Sequence, residues 1–142
     1  SRSKQKGNRF EREVVNIAKE NNLKSERAYG SDGRALGENK EVDVIIDSIA
    51  KKWRIQVKVR KKIAQWIKPD PKSVDLQVVK EDRGEIYAVL PYKSFIDLVV
   101  ERDYLLENSE EFKDSARERE QDELEYHRER RQEIENAIKE SL

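Results

Sequence analysis

Two runs of alternating residues, 42–47 and 53–60, constrain this chain more than any other part of it. Val42, Val44 and Ile46 alternate with Asp43, Ile45 and Asp47, and Trp53, Ile55, Val57 and Val59 alternate with Arg54, Gln56, Lys58 and Arg60. A period of two over β-branched residues predicts two strands, joined by the polar break at 48–52. Paired as neighbours, they bring Asp43 close to Gln56 and Lys58, which leave their strand on one face two residues apart. An acid, an amide oxygen and a lysine meeting at a sheet edge can hold a divalent metal and a phosphate.

Upstream, Phe10, Val14, Ile17 and Ala18 recur at helical spacing and predict a helix over 6–22 that ends at Asn21, Asn22 and Leu23. Glu11 borders the inward face of that helix, where a carboxylate needs a partner. It reads either as a boundary glutamate paired with a cation or as a ligand of a metal or its water. Lys4, Lys6 and Arg9 supply positive charge around the helix start, where backbone N–H groups also favour phosphate. A short strand over 24–29 leads into a polar loop, 30–37, with three glycines. Such a loop can bring N–H groups near a phosphate, although its spacing matches neither a P-loop nor a dinucleotide fingerprint.

Downstream, four cations in residues 58–62 precede Trp66, whose neighbours Ile63 and Ile67 favour a packing role over stacking on a base. Residues 73–82 fit a short helix through Val74 and Val78 or a strand through Val74, Leu76 and Val78; the helix is the expectation. A turn at Arg83 and Gly84, a buried strand over 86–90 and a helix over 92–106 follow. The last 36 residues carry 7 Lys/Arg and 13 Asp/Glu without glycine or proline, which predicts a solvated helix. His127, the one histidine, belongs to its surface, and its seam is too interrupted by charge for a long coiled coil. A stripe of Ile134, Ala137, Ile138 and Leu142 could dock on the body or on another subunit.

The formal charge of zero conceals a division. Residues 1–70 hold 18 Lys/Arg against 10 Asp/Glu, net +8, and residues 71–142 hold 12 against 20, net −8. The first half suits a polyanion and the second does not. No cysteine excludes disulfides, thiolate zinc and a cysteine nucleophile. With no apolar run of ~20 residues and no visible signal peptide, an intracellular place is expected.

The order of these parts resembles the plan of PD-(D/E)xK nucleases and, more narrowly, of archaeal-type Holliday junction resolvases. Lys6-Gly7-Asn8-Arg9-Phe10-Glu11-Arg12-Glu13 is similar to their opening Lys-Gly-x-x-x-Glu-Arg-Glu, and Arg27-Ala28-Tyr29-Gly30-Ser31 to their Arg-x-x-Gly-Ser. Val42-Asp43 and Val57-Lys58-Val59 continue in order. The similarity covers residues 4–100 and leaves the acidic tail unmatched. It implies a restriction-endonuclease-like α/β core over 1–106, a central mixed sheet flanked by helices, with 107–142 as a helical extension. It further implies a Mg²⁺-dependent endonuclease, with Mn²⁺ as a substitute, acting on four-way DNA junctions as a homodimer. Glu11, Asp43, Gln56 and the Val57 carbonyl would hold the metal, and Lys58 would complete the catalytic set. Lys4, Lys6, Arg9, Ser31, Arg34, Arg60, Lys61 and Lys62 would contact DNA. Candidate dimer contacts are Phe95, Val99 and the C-terminal helix. Two departures stand out: the loop over 32–40 is longer than its counterpart, and Gln56 stands where the plan has glutamate. Other PD-(D/E)xK enzymes, of restriction, flap or VRR type, and a non-catalytic DNA-binding module remain as alternatives.

Overall fold

The computed structural model describes residues 1–141, apart from the side chains of Ser31 and Phe112. It is an α/β protein with two compact units, residues 1–103 and 104–142. In the first unit, helix α1 (Arg2–Glu20) leads into strand β1 (Lys24–Arg27), two short 3-10 turns (Tyr29–Ser31 and Gly33–Leu36), β2 (Val44–Asp47) and β3 (Lys52–Ile55). A second pair of strands, β4 (Gln77–Lys80) and β5 (Ile86–Val89), precedes α2 (Tyr92–Glu107) and α3 (Glu110–Ser141).

Helix α1 stops where the sequence indicates. Asn22 takes a left-handed φ of 63°, its N–H donates to the Lys19 carbonyl at 3.0 Å, and the Leu23 N–H reaches Ala18 at 3.0 Å. These two bonds form a Schellman motif, completed by burial of both Ala18 and Leu23 in the core. The chain then returns as an antiparallel meander in the order β1-β2-β3, with Arg27 across from Val44 and Val44 across from Ile55.

One face of this meander carries the core. Val44 packs with Val14 and Val15 of α1, while Ile46 packs with Ala18 and with Ile96 and Val99 of α2. Trp53 meets Phe95 edge-on at 5.0 Å. The Tyr92 hydroxyl donates to the Val14 carbonyl at 2.9 Å, and burial raises its pKa to about 12. Both helices therefore lie on the side of the sheet that Val44, Ile46, Trp53 and Ile55 present.

Several sequence expectations change here. Residues 73–82 form no helix: Asp70 caps a single turn through the N–H groups of Lys72, Ser73 and Val74, and Gln77–Lys80 then pairs with Ile86–Val89 around Arg83 and Gly84. Strand pairing across a tight turn outweighs one i,i+4 contact between valines. This hairpin is not buried as expected, since Val78, Ile86 and Tyr87 are exposed. Both sheets are antiparallel, where the resemblance implies a mixed one. Val99, named as a dimer contact, is buried in the core beside Ile46, and Phe95 is half-buried against Trp53.

The second unit is dominated by α3, 32 residues long and about 48 Å at 1.5 Å per residue. Its described residues are exposed, His127 included, as are Ile134 and Ile138 of the apolar stripe; Leu142 lies outside the described residues. Among the described residues, no helix is long and apolar enough to cross a membrane.

Candidate active site

Glu11 and Asp43 are the two buried charged residues of the described chain, at 4% and 8% exposure. Each is buried because a partner comes with it. Arg27 occupies an inward position of β1, across from Val44, and its guanidinium grips Glu11 Oε2 from Nε at 3.1 Å and Nη2 at 2.9 Å. Nη2 also donates to Asn8 Oδ1 at 3.3 Å. Glu11 thus takes the cation partner that the sequence left as one of two alternatives. In the sequence Arg27 stands only within the Arg-x-x-Gly-Ser stretch; its inward alternate position on β1 is the signal that points to its role.

Asp43 is held by backbone. Its carbonyl accepts from the Ala28 N–H at 2.8 Å, extending the β1–β2 pairing by one residue. Its own N–H donates to the Ile55 carbonyl at 2.9 Å, although Ile55 is already the ladder partner of Val44. Two consecutive residues facing one is the arrangement of a β-bulge, which re-aims the side chain. Asp43 Oδ2 consequently accepts from the Val57 N–H at 2.7 Å. A carboxylate replaces the carbonyl that a continuing ladder would offer, so pairing ends at Ile55 rather than Val59. The inward–outward alternation of burial nevertheless runs on through Val59.

Gln56 and Lys58 flank Val57 and are exposed. Among the described residues, neither is hydrogen-bonded to Asp43. The loop that delivers Asp43 is compact. A Cβ on Gly33 would stand 2.8 Å from Val42 Cβ and 2.9 Å from its carbonyl, so only glycine fits there. The Glu38 N–H closes back on the Gly33 carbonyl at 2.9 Å, and Lys52 reaches Glu38 at 3.5 Å.

The expected DNA contacts divide into groups. Arg60, Lys61 and Lys62 line one open depression of about 590 Å³ together with Ile63, Gln65 and Lys68. Trp66 is two-thirds exposed rather than packed, its carbonyl bonded by the Gln77 side chain at 2.7 Å. Lys4 lines a second depression with Asn8, Arg27 and Tyr29. Lys6 and Arg9 are exposed on α1. Arg34 is engaged within its own loop: Nε and Nη2 bind the Asp32 carboxylate, which this pairing holds at a pKa of about 2. The Ser31 side chain lies outside the described residues.

No family model, curated protein or solved structure matches this chain. What the site can do rests on its own donors. Among the described residues, no three His, Cys, Asp or Glu side chains cluster to cage a metal. The donors expected to hold a metal are all hard oxygens: two carboxylates, both already hydrogen-bonded, the Gln56 amide and the Val57 carbonyl. That set fits Mg²⁺, which characteristically takes one or two carboxylates and fills its shell with water and phosphate.

Proposed function

We propose that this chain is a metal-dependent DNA endonuclease with a restriction-endonuclease-like core, and that its substrate is branched DNA, a four-way junction in the first instance. The observation that carries the reading is that two buried acids adjoin the end of β1: Arg27 binds the Glu11 carboxylate, and the next residue, Ala28, binds the main-chain carbonyl of Asp43, whose own carboxylate takes the Val57 N–H. Burying two carboxylates is costly, and each is retained with a bonding partner of its own.

Asp43, Gln56, the Val57 carbonyl and Glu11 would hold Mg²⁺ or Mn²⁺. Such an ion would polarise the phosphate and lower the pKa of an attacking water. The chain supplies the rest. The β-bulge fixes the orientation of the Asp43 carboxylate. Lys58 offers an exposed ammonium one residue beyond the Val57 amide, suited to stabilising negative charge on the phosphate under attack. Arg60, Lys61, Lys62 and Lys68 would position the flanking strand without reading its sequence. Symmetric cutting of a junction calls for two copies related by a two-fold axis.

Gln56 and the N–H groups already bonded to both acids favour a second reading, a DNA-binding module whose site no longer cuts. Cleavage with Mg²⁺ on four-way, flap and linear duplex substrates separates the readings. Cutting confined to the junction supports the first, cutting of flaps or linear DNA points to another nuclease of this type, and binding without cutting at any metal concentration establishes the module.

A further inference from the structure

Tyr29 follows directly on Arg27, which binds the Glu11 carboxylate, and Ala28, which binds the Asp43 main chain, yet it is 90% exposed. It stands at the rim of a depression of about 490 Å³ lined by Lys4, Asn8, Arg27, Ala28 and Gly30. An exposed aromatic costs apolar surface and here contributes nothing to the core. Gly30 adopts φ 63°, in the left-handed region that favours glycine, and a Cβ there would meet nothing within 4 Å.

The cations around the ring have donors to spare. Arg27 spends Nε and Nη2 on Glu11 and Asn8, and among the described residues neither N–H of its Nη1 is hydrogen-bonded. Lys4 is exposed and makes no ion pair among the described residues. A flat aromatic face beside two cations, around a space within the ~300–1,000 Å³ of small-ligand pockets, suits one nucleotide with its base against the ring and its phosphate against the charges.

We infer that Tyr29, Lys4 and Arg27 form a subsite for one unpaired DNA nucleotide. The base must be unstacked, as in a single strand, because in a continuous duplex both faces of each base are covered by its neighbours. The inference rests on the nuclease reading for its biological sense: it places an unstacked nucleotide beside the acids, as a branch point or a melted strand would supply.

The test uses the whole chain in EDTA at fixed salt, with fluorescein-labelled dT12 and the same 12-mer lacking all its bases, read by anisotropy. The expected result is binding of dT12 about tenfold tighter than the abasic strand, a preference erased by Tyr29→Ala and kept by Tyr29→Phe. Lys4→Ala should weaken both strands alike, as a phosphate contact does. Equal affinity for the two strands, failure to bind dT12, or a Tyr29→Ala variant that keeps the preference would each overturn the subsite. Because no cleavage occurs in EDTA, the result stands apart from the nuclease question. A chain that cuts junctions but ignores the bases loses the subsite alone, and one that keeps the Tyr29 effect without ever cutting loses the nuclease alone.

Discussion

Replacing Asp43 separates what its carboxylate does for the fold from what it does for chemistry. Oδ2 accepts from the Val57 N–H at 2.7 Å, in a residue only 8% exposed. A hydrogen bond to a charged group contributes about 1.5–3 kcal/mol, and a neutral one about 1 kcal/mol. Asp43→Ala removes the acceptor and should cost about 2 kcal/mol. Asp43→Asn keeps an oxygen in the same place and should cost about 1 kcal/mol. With a urea m-value of about 1.5 kcal/mol/M, the unfolding midpoint falls by roughly 1.3 M for alanine and 0.7 M for asparagine. Fluorescence of Trp53, packed on Phe95, follows the transition in the core. Cleavage should vanish in both variants, while junction binding by Asp43→Asn stays within about tenfold of the parent, ~1.4 kcal/mol. Equal destabilisation by the two substitutions would refute the acceptor argument, and undiminished cutting by Asp43→Asn would remove Asp43 from the chemistry.

Arg27→Met should destabilise the body by about 2 kcal/mol in the same urea assay, below the ~3–5 kcal/mol of a fully buried pair because the arginine is one quarter exposed. Adding Glu11→Gln should recover part of that loss, and no recovery would show that the pair is not coupled. Gln56→Glu should raise cleavage at low Mg²⁺, since a full charge competes better with the ion's hydration; lower activity at every concentration would make glutamine the working ligand. Replacing Lys61 and Lys62 together by alanine should make the log–log salt dependence of DNA binding shallower by about 1.8, at ~0.9 per lost phosphate contact, and an unchanged slope would exclude both. The Asp32 carboxyl, held at about 2 by Arg34 against its ordinary 3.8, stabilises the loop above pH ~4 and loses that contribution as pH falls through ~2. Its carboxyl carbon should titrate near 2 by NMR and return toward 3.8 in Arg34→Ala; a midpoint that ignores the substitution would refute the pairing.

Helix α1 and the meander were legible because their signals are local. Phe10, Val14, Ile17 and Ala18 define one helical face, Asn22 marks its end, and Val44 and Ile46 share the face that packs on the helices. Glu11 borders the inward face and so calls for a partner, which Arg27 supplies, whereas Asp43, expected beside Gln56 and Lys58, bonds the Val57 N–H between them. The partners were harder to read. Arg27 lies 16 residues from Glu11, and the register that joins them exists only once β1 pairs with β2. The end of β3 was hidden for a different reason, since periodicity records which way side chains point and not that the Asp43 carboxylate takes the Val57 N–H. Residues 73–82 satisfied two periods at once, and the partner strand that decides between them begins at Ile86. Trp66 was expected to pack with Ile63 and Ile67, yet Ile63 is itself exposed and offers it no core to join.

The way Gly33 closes its loop bears on how a chain of this kind diversifies. With the Gly33 carbonyl bound by the Glu38 N–H, and Gly33 seated against Val42, the two feet of the loop are fastened independently of its tip. Lengthening the loop between fixed feet adds only about 0.6 kcal/mol per doubling of its length. Insertions among Arg34, Ala35, Leu36 and Gly37 therefore cost little beyond the 3-10 turn they displace, whereas any side chain at Gly33 meets the backbone of the loop. Selection can explore the tip residue by residue while the position of Asp43 is inherited unchanged, so the loop is a place where related chains could acquire new preferences without rebuilding the body that carries them.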